Sequence, residues 1–152
     1  MEAMLRAHPW NCAVKRVKLS PDLSAPAHPI YSMQFTVPAD CLRVISIGDY
    51  DRSPDYQYET GKILCNESEL LFRYVFKNTS VATWDSLLVE CMTAQMVAEF
   101  AYPLTQSTSL MQAKQQELEY LLRRARNIDA QENPPLTIDG SSLIEARFRG
   151  IR

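Results

Sequence analysis

Two histidines and four glycines in 152 residues leave little material for metal chemistry or for loops that cradle phosphate. His8 and His28 each adjoin a proline, and Cys12 is the one cysteine within ten residues of either. A metal site needs several His, Cys or carboxylate ligands at workable spacing, and no such cluster is present in the sequence. The four cysteines, Cys12, Cys41, Cys65 and Cys91, form no C-x-x-C pair and are too scattered for a secreted disulfide framework. Each stands beside apolar residues and reads as a buried, reduced thiol. No G-x-S-x-G, P-loop or G-x-G-x-x-G motif occurs. Cys41 has no histidine placed to activate it, and Asp49/Asp51 read as solvated loop carboxylates. The expectation is a protein that is not an enzyme, with no cofactor and no metal.

Charge of one sign and long apolar runs are also lacking. A net charge of -2 gives no general drive toward nucleic acid or anionic membranes. No apolar run approaches the roughly 18 residues of a membrane span, so no membrane partner is expected. The first residues lack the charged-then-apolar profile of a secretory signal, which points to a cytosol-like compartment. What remains is an ordinary globular composition, 46% hydrophobic and 22% charged, long enough for one domain with a real core.

The chain opens on a helical stretch (Met4, Leu5, Ala7) that His8-Pro9 ends, because the residue before proline leaves the helical region. "LSPDLSAPAHP" has three prolines and reads as a surface link. In "IYSMQFTVP", Tyr31, Met33, Phe35 and Val37 alternate with Ser32, Gln34 and Thr36, a half-buried strand. "LRVISIG" is a second strand. A polar loop then leads to a short strand carrying Tyr56 and Tyr58. "KILC" and "LLFRYVF" flank "NESE" and should pair as a hairpin. Together these make a small antiparallel sheet of four or five strands whose aromatic face (Leu70, Phe72, Tyr74, Phe76) needs a cover. The spacing predicts that cover as a helix from Trp84 to Tyr102, capped by Thr83 and stopped by Pro103. Its polar stripe (Ser86, Glu90, Thr93) continues as Val97 and Phe100, so the solvent face vanishes halfway. Either a second copy of the chain or the opening helix must cover that half. "SLMQAKQQELEYLLRRARNIDA" is a conventional amphipathic helix, with Glu119–Arg123 as an i,i+4 pair and Lys114 snorkelling from the apolar arc. The fold class is therefore α+β: a small antiparallel β region packed with a helical bundle, plus an extended C-terminal arm. The folded domain spans 1–132, with helical parts 1–8 and 83–130 and a β part 30–77; the arm spans 133–152. A plain disordered tail is poor in apolar residues. This one carries Leu136, Ile138, Leu143, Ile144, Phe148 and Ile151 between Arg147, Arg149 and Arg152. It either docks in a partner groove or packs back on its own sheet.

The residues in this order resemble the head-to-tail adaptor family of tailed phages, called tail tubular protein A or gatekeeper in short-tailed phages. The resemblance covers about nine-tenths of the chain. It is carried by the H-P-W-N-x-A-x-K-R block, P-A-D-C-L-R-V, the R-Y-V-x-K-x-T-x-x-x-x-W-D-x-L stretch and A-E-F-A-x-x-L-T. It implies a structural connector: a ring, usually of twelve copies, between portal protein and tail hub or nozzle, located in the virion at the head–tail junction. Assembly would take place in the host cytoplasm, and double-stranded DNA would pass through the lumen without specific contact. Under this resemblance Trp10, Asn11 and Arg16 anchor the start of the β part. Pro38, Asp40, Leu42 and Arg43 set the turn between the first two strands, and Trp84 and Asp85 begin the ring-forming helix. Met96, Val97, Phe100 and Tyr102 are the expected inter-subunit residues, and the arm is the expected portal-binding segment.

Family members usually carry a further helical segment before the H-P-W block. Here it is nearly missing, so the chain is expected to begin partway through the first helical unit. Two other readings compete. One is a head-completion or tail-terminator subunit of the virion. The other is a small nucleic-acid-binding regulator that uses "VKRVK" and "RRAR".

Overall fold

A computed structural model of the protein describes residues 1–24, 26–48 and 54–133. The arm residues from Leu136 to Arg152 lie outside these described residues. The element order is α1 (Glu2–Ala7), β1 (Val14–Leu19), β2 (Met33–Thr36), β3 (Cys41–Ile47), β4 (Gln57–Glu59), β5 (Lys62–Cys65), β6 (Leu70–Phe76), α2 (Ser86–Thr105) and α3 (Thr108–Gln131). Short 3-10 turns lie at Asn11–Ala13 and Val81–Thr83. The class is α+β.

Two three-stranded antiparallel sheets, β1-β6-β3 and β2-β5-β4, stand where one sheet is expected. The segment "VKRVK" is itself a strand, paired with β6 from Val14↔Val75 to Leu19↔Leu70. Its charges hide it from a hydrophobicity pattern, because an edge strand tolerates them.

β5 and β6 do not form the expected hairpin. They belong to different sheets, and their apolar sides meet across the interior. Ile63 and Cys65 of β5 join Phe35, Ile47, Leu70, Phe72 and Tyr74 in one buried cluster. Alternation shows which side of a strand is apolar; it does not distinguish strands lying side by side from strands lying face to face. The aromatic side of β6 is thus covered by the second sheet, not by the long helix. Burial of each such side chain contributes about 1.5–3 kcal/mol. Gln34 also departs from the alternation: it is buried, and its Nε2 donates to Ser24 Oγ at 2.7 Å. The proline-rich link covers β2 there, with Asp22 N–H donating to the Gln34 carbonyl at 2.8 Å.

The helices pack on the opposite side of β6. Val75 is buried with Met4, Leu5, Trp10, Ala13, Leu88, Cys91 and Ala125. β3 serves both interiors through two register shifts. Each bulge inserts one residue, so Leu42 and Ile45 turn to the helices while Cys41 and Val44 turn to the sandwich.

Two expected helix ends are corrected. Asp85, not Thr83, caps α2, its carboxylate accepting from Leu87 N–H at 3.0 Å. Thr83 instead closes the preceding 3-10 turn and donates to the Ser80 carbonyl at 2.8 Å. Pro103 does not stop α2, which runs on to Thr105 and turns at Gln106 (φ 52). So near the end, the missing N–H removes only one backbone bond. In α3, Ser107 is the cap and Lys114 pairs with Glu117 at 2.7 Å. Glu119 and Arg123 form no ion pair.

Candidate functional site

The inner side of α2 buries Leu88, Cys91, Ala98 and Ala101, with α3 as its neighbour. Its outer side carries Val89, Thr93, Met96, Phe100 and Leu104, steps of four, three, four and four residues that keep one stripe. Met96 is 56% exposed, Phe100 54% and Leu104 79%, and Val97 beside them is also open. Tyr102 is exposed too, about 200° round the helix from Phe100. The opening helix does not cover this half. α1 packs on β3 and β6, and Met4 and Leu5 join Leu88 and Cys91 at the first half of α2. Internal burial under α1 is therefore ruled out for the described residues. Between α2 and α3 a groove of about 320 Å³ is lined by Val97, Ala94 and Leu121 but also by Glu90, Lys114 and Glu117.

The H-P-W-N block forms a clasp. Trp10 is fully buried and its Nε1 donates to the Met4 carbonyl at 3.2 Å. His8, whose ring meets Trp10 edge-on at 4.8 Å, places Nε2 3.1 Å from Asp129 Oδ2. The Asn11 N–H donates to Asp129 Oδ1 at 2.9 Å, and Asn11 Nδ2 donates to the Asp129 carbonyl at 2.7 Å and to Glu132 Oε2 at 3.1 Å. Asn133 Nδ2 donates back to Asn11 Oδ1 at 2.5 Å. The start of the β region is thereby tied to the last turn of α3, satisfying carbonyls that a helix end leaves open. Arg16 takes no part: it is exposed on β1, opposite Arg73.

The Pro38–Arg43 turn carries the chain from one sheet to the other. Cys41 N–H donates to the Pro38 carbonyl at 2.9 Å, closing the turn. Asp40 accepts from Lys15 Nζ at 2.8 Å and from the Tyr74 hydroxyl at 3.0 Å. Partial burial opposes its charge, but these two donors outweigh it and hold its carboxyl below the ordinary range. Burial first, and then the hydrogen bond to Asp40, push the Tyr74 phenol up to about 12. Leu42 packs toward the helices, and Arg43 Nη1 reaches the Ala7 carbonyl at 3.5 Å. Trp84 precedes α2 and donates to the Asn78 carbonyl at 3.2 Å.

Asp129 and Asn78 escape a reading of the sequence. Asp129 sits among helical polar residues with no local sign of burial. Asn78 Nδ2 donates to the Cys12 carbonyl at 2.8 Å and to Thr83 Oγ1 at 2.9 Å, joining the strand-to-helix link to the clasp region. Only its place between a strand and a tryptophan could have suggested such a role. All four cysteines are free; Cys65 and Cys91 are buried, Cys12 and Cys41 half-buried, and burial pushes every thiol up. Among the described residues, no three His, Cys, Asp or Glu side chains come together as a metal site, and no helix is long and apolar enough to cross a membrane. The arrangement can tie elements together and present an apolar helix face. No family model and no curated protein matches this chain.

Proposed function

We propose that this protein is a non-enzymatic connector subunit of a tailed phage. Copies form a ring, of twelve by the resemblance, between portal and tail, and DNA passes through its lumen. The observation that carries the reading is the uncovered apolar half of α2. Water-exposed apolar residues in register along a helix favour contact with another apolar surface. A second copy supplies it here, because the motifs surrounding α2 resemble those of a ring-forming family. The regulator alternative loses ground on a specific point. Lys15 and Lys18 of "VKRVK" are engaged by Asp40 and Glu69 and are not held free for phosphates.

The test is native mass spectrometry and negative-stain imaging of the full chain, alone and with purified portal rings. Closed rings, alone or on portal, are the expected result. The double substitution Val97→Glu/Phe100→Glu should leave a folded monomer that no longer assembles. A wild-type chain that stays monomeric with both portal and tail proteins would defeat the proposal. So would a double variant that assembles as before.

A further inference from the structure

Every lysine of the chain is in an ion pair: Lys15 with Asp40, Lys18 with Glu69, Lys62 with Asp22, Lys77 with Glu2 and Lys114 with Glu117. Among the described residues no arginine is. Two of those arginines, Arg16 and Arg73, stand directly opposite each other on neighbouring strands. A like-charged pair in that position is destabilising, and a nearby anion relieves the repulsion. Arg73 is on the central strand β6, two residues from the buried Val75, so its side chain is on the helix-facing side of the sheet. The helices end one row short of it: Arg16, Ser46 and Leu71, its neighbours on that side, are exposed. The Arg73 Nε is nevertheless out of reach of water and has no acceptor. A guanidinium with a desolvated, unpaired donor beside a second guanidinium is suited to bind an anion.

The geometry points to Arg16 and Arg73 as a docking site for the carboxylates of an acidic protein segment. Two guanidinium forks match the two oxygens of a carboxylate, and such charge-assisted bonds are the stronger kind. Nucleic acid fits less well. Backbone binding needs a run of phosphate contacts, but the neighbouring lysines are neutralised, and Glu67 and Glu69 border the same end of the sheet. Because β1 is an edge strand, an extended segment can approach from its open side. This inference does not depend on the ring.

A fluorescent hexaglutamate peptide serves as the probe with the full chain at moderate salt. A 20-base-pair duplex and inorganic phosphate are run in parallel, and the Arg side-chain Nε–Hε resonances are followed by NMR. The peptide should saturate and move the Arg73 and Arg16 resonances. Arg73→Gln should weaken it by about tenfold or more, while Arg123→Gln leaves it unchanged. Relief of the like-charge pair should also raise the melting temperature of Arg16→Gln by about 2 °C. The site is refuted if Arg73→Gln binds the peptide as well as wild type, or if the peptide leaves the Arg73 resonance in place. Preferential, Arg73-dependent binding of the duplex or of phosphate also overturns it.

Discussion

Asn11 and Asp129, 118 positions apart, hold the start of the β region against the last turn of α3. Asp129 is almost wholly buried, yet each of its carboxylate oxygens has a donor and its carbonyl accepts from the Asn11 amide. A buried polar group costs little when satisfied and about 1–3 kcal/mol when its partner is removed. Asn11→Ala deletes the three side-chain bonds and keeps the backbone donor, so a loss of about 1–2 kcal/mol is expected in urea unfolding. Asp129→Ala strands the Asn11 N–H as well and should cost about 2–3 kcal/mol. Because both act through one network, the double variant should lose less than the sum. Strict additivity would show that the clasp is not a unit. The H-P-W-N block is conspicuous in the sequence, but its partner is not. An aspartate late in an amphipathic helix looks like any solvated carboxylate until the fold brings histidine and asparagine to it.

At the scale of elements, the β4–β5 hairpin shows strain that one substitution can relieve. Its two-residue loop, Thr60-Gly61, has φ values of 49 and 75, the left-handed pair that a tight hairpin needs. Glycine meets that demand, and a Cβ at Gly61 would touch nothing, so only its backbone freedom matters. Threonine meets it badly, being β-branched. Thr60→Asn should therefore stabilise by about 0.5–1 kcal/mol and raise the melting temperature by about 1–3 °C. A fall would mean that the threonine side chain makes a contact worth more than the strain. The same hairpin marks where the sequence was legible. The short strand through Tyr58 and "KILC" read correctly as strands, although Tyr56 falls just before β4, and α3 read correctly as amphipathic. Pairing did not. β5 and β6 share an apolar face by stacking, and β1 hides behind Lys15, Arg16 and Lys18. The exposed half of α2 was legible from Val97 and Phe100 alone, because a helix without a polar side is visible in one dimension.

For the whole molecule, the ties that cross between elements titrate, whereas the apolar face of α2 does not. Asp40 links β1, the inter-sheet turn and β6. Asp22 accepts from Thr36 Oγ1 at 2.9 Å and from Lys62 at 3.1 Å, and Glu2 of α1 pairs with Lys77. All three carboxyls are held below their ordinary values: Asp22 and Glu2 first by their hydrogen bonds, to Thr36 and Lys77, and Asp40 by Lys15 and Tyr74 against its burial. A lowered folded value means that the unfolded chain binds more protons. Their stabilisation is therefore present above the ordinary carboxylate range and lost as pH falls through and below about 4. Tyr74 has the opposite sign. Its folded value, about 12, exceeds the ordinary 10, so its contribution is intact below pH 10 and lost as pH rises toward 12. Melting temperature should form a plateau near neutrality with an acid and an alkaline limb. Tyr74→Phe should lie below wild type at pH 8, by about 0.5–1.5 kcal/mol for the lost hydrogen bond, and the gap should close between pH 10 and 12. A gap that stays constant to pH 12 would remove Tyr74 from the alkaline limb. The outer stripe of α2 contains no such group, so the subunit contact proposed there should weaken only when the fold does. Dissociation at mild acid, with each monomer still folded, would place charged groups rather than Met96 and Phe100 at the contact.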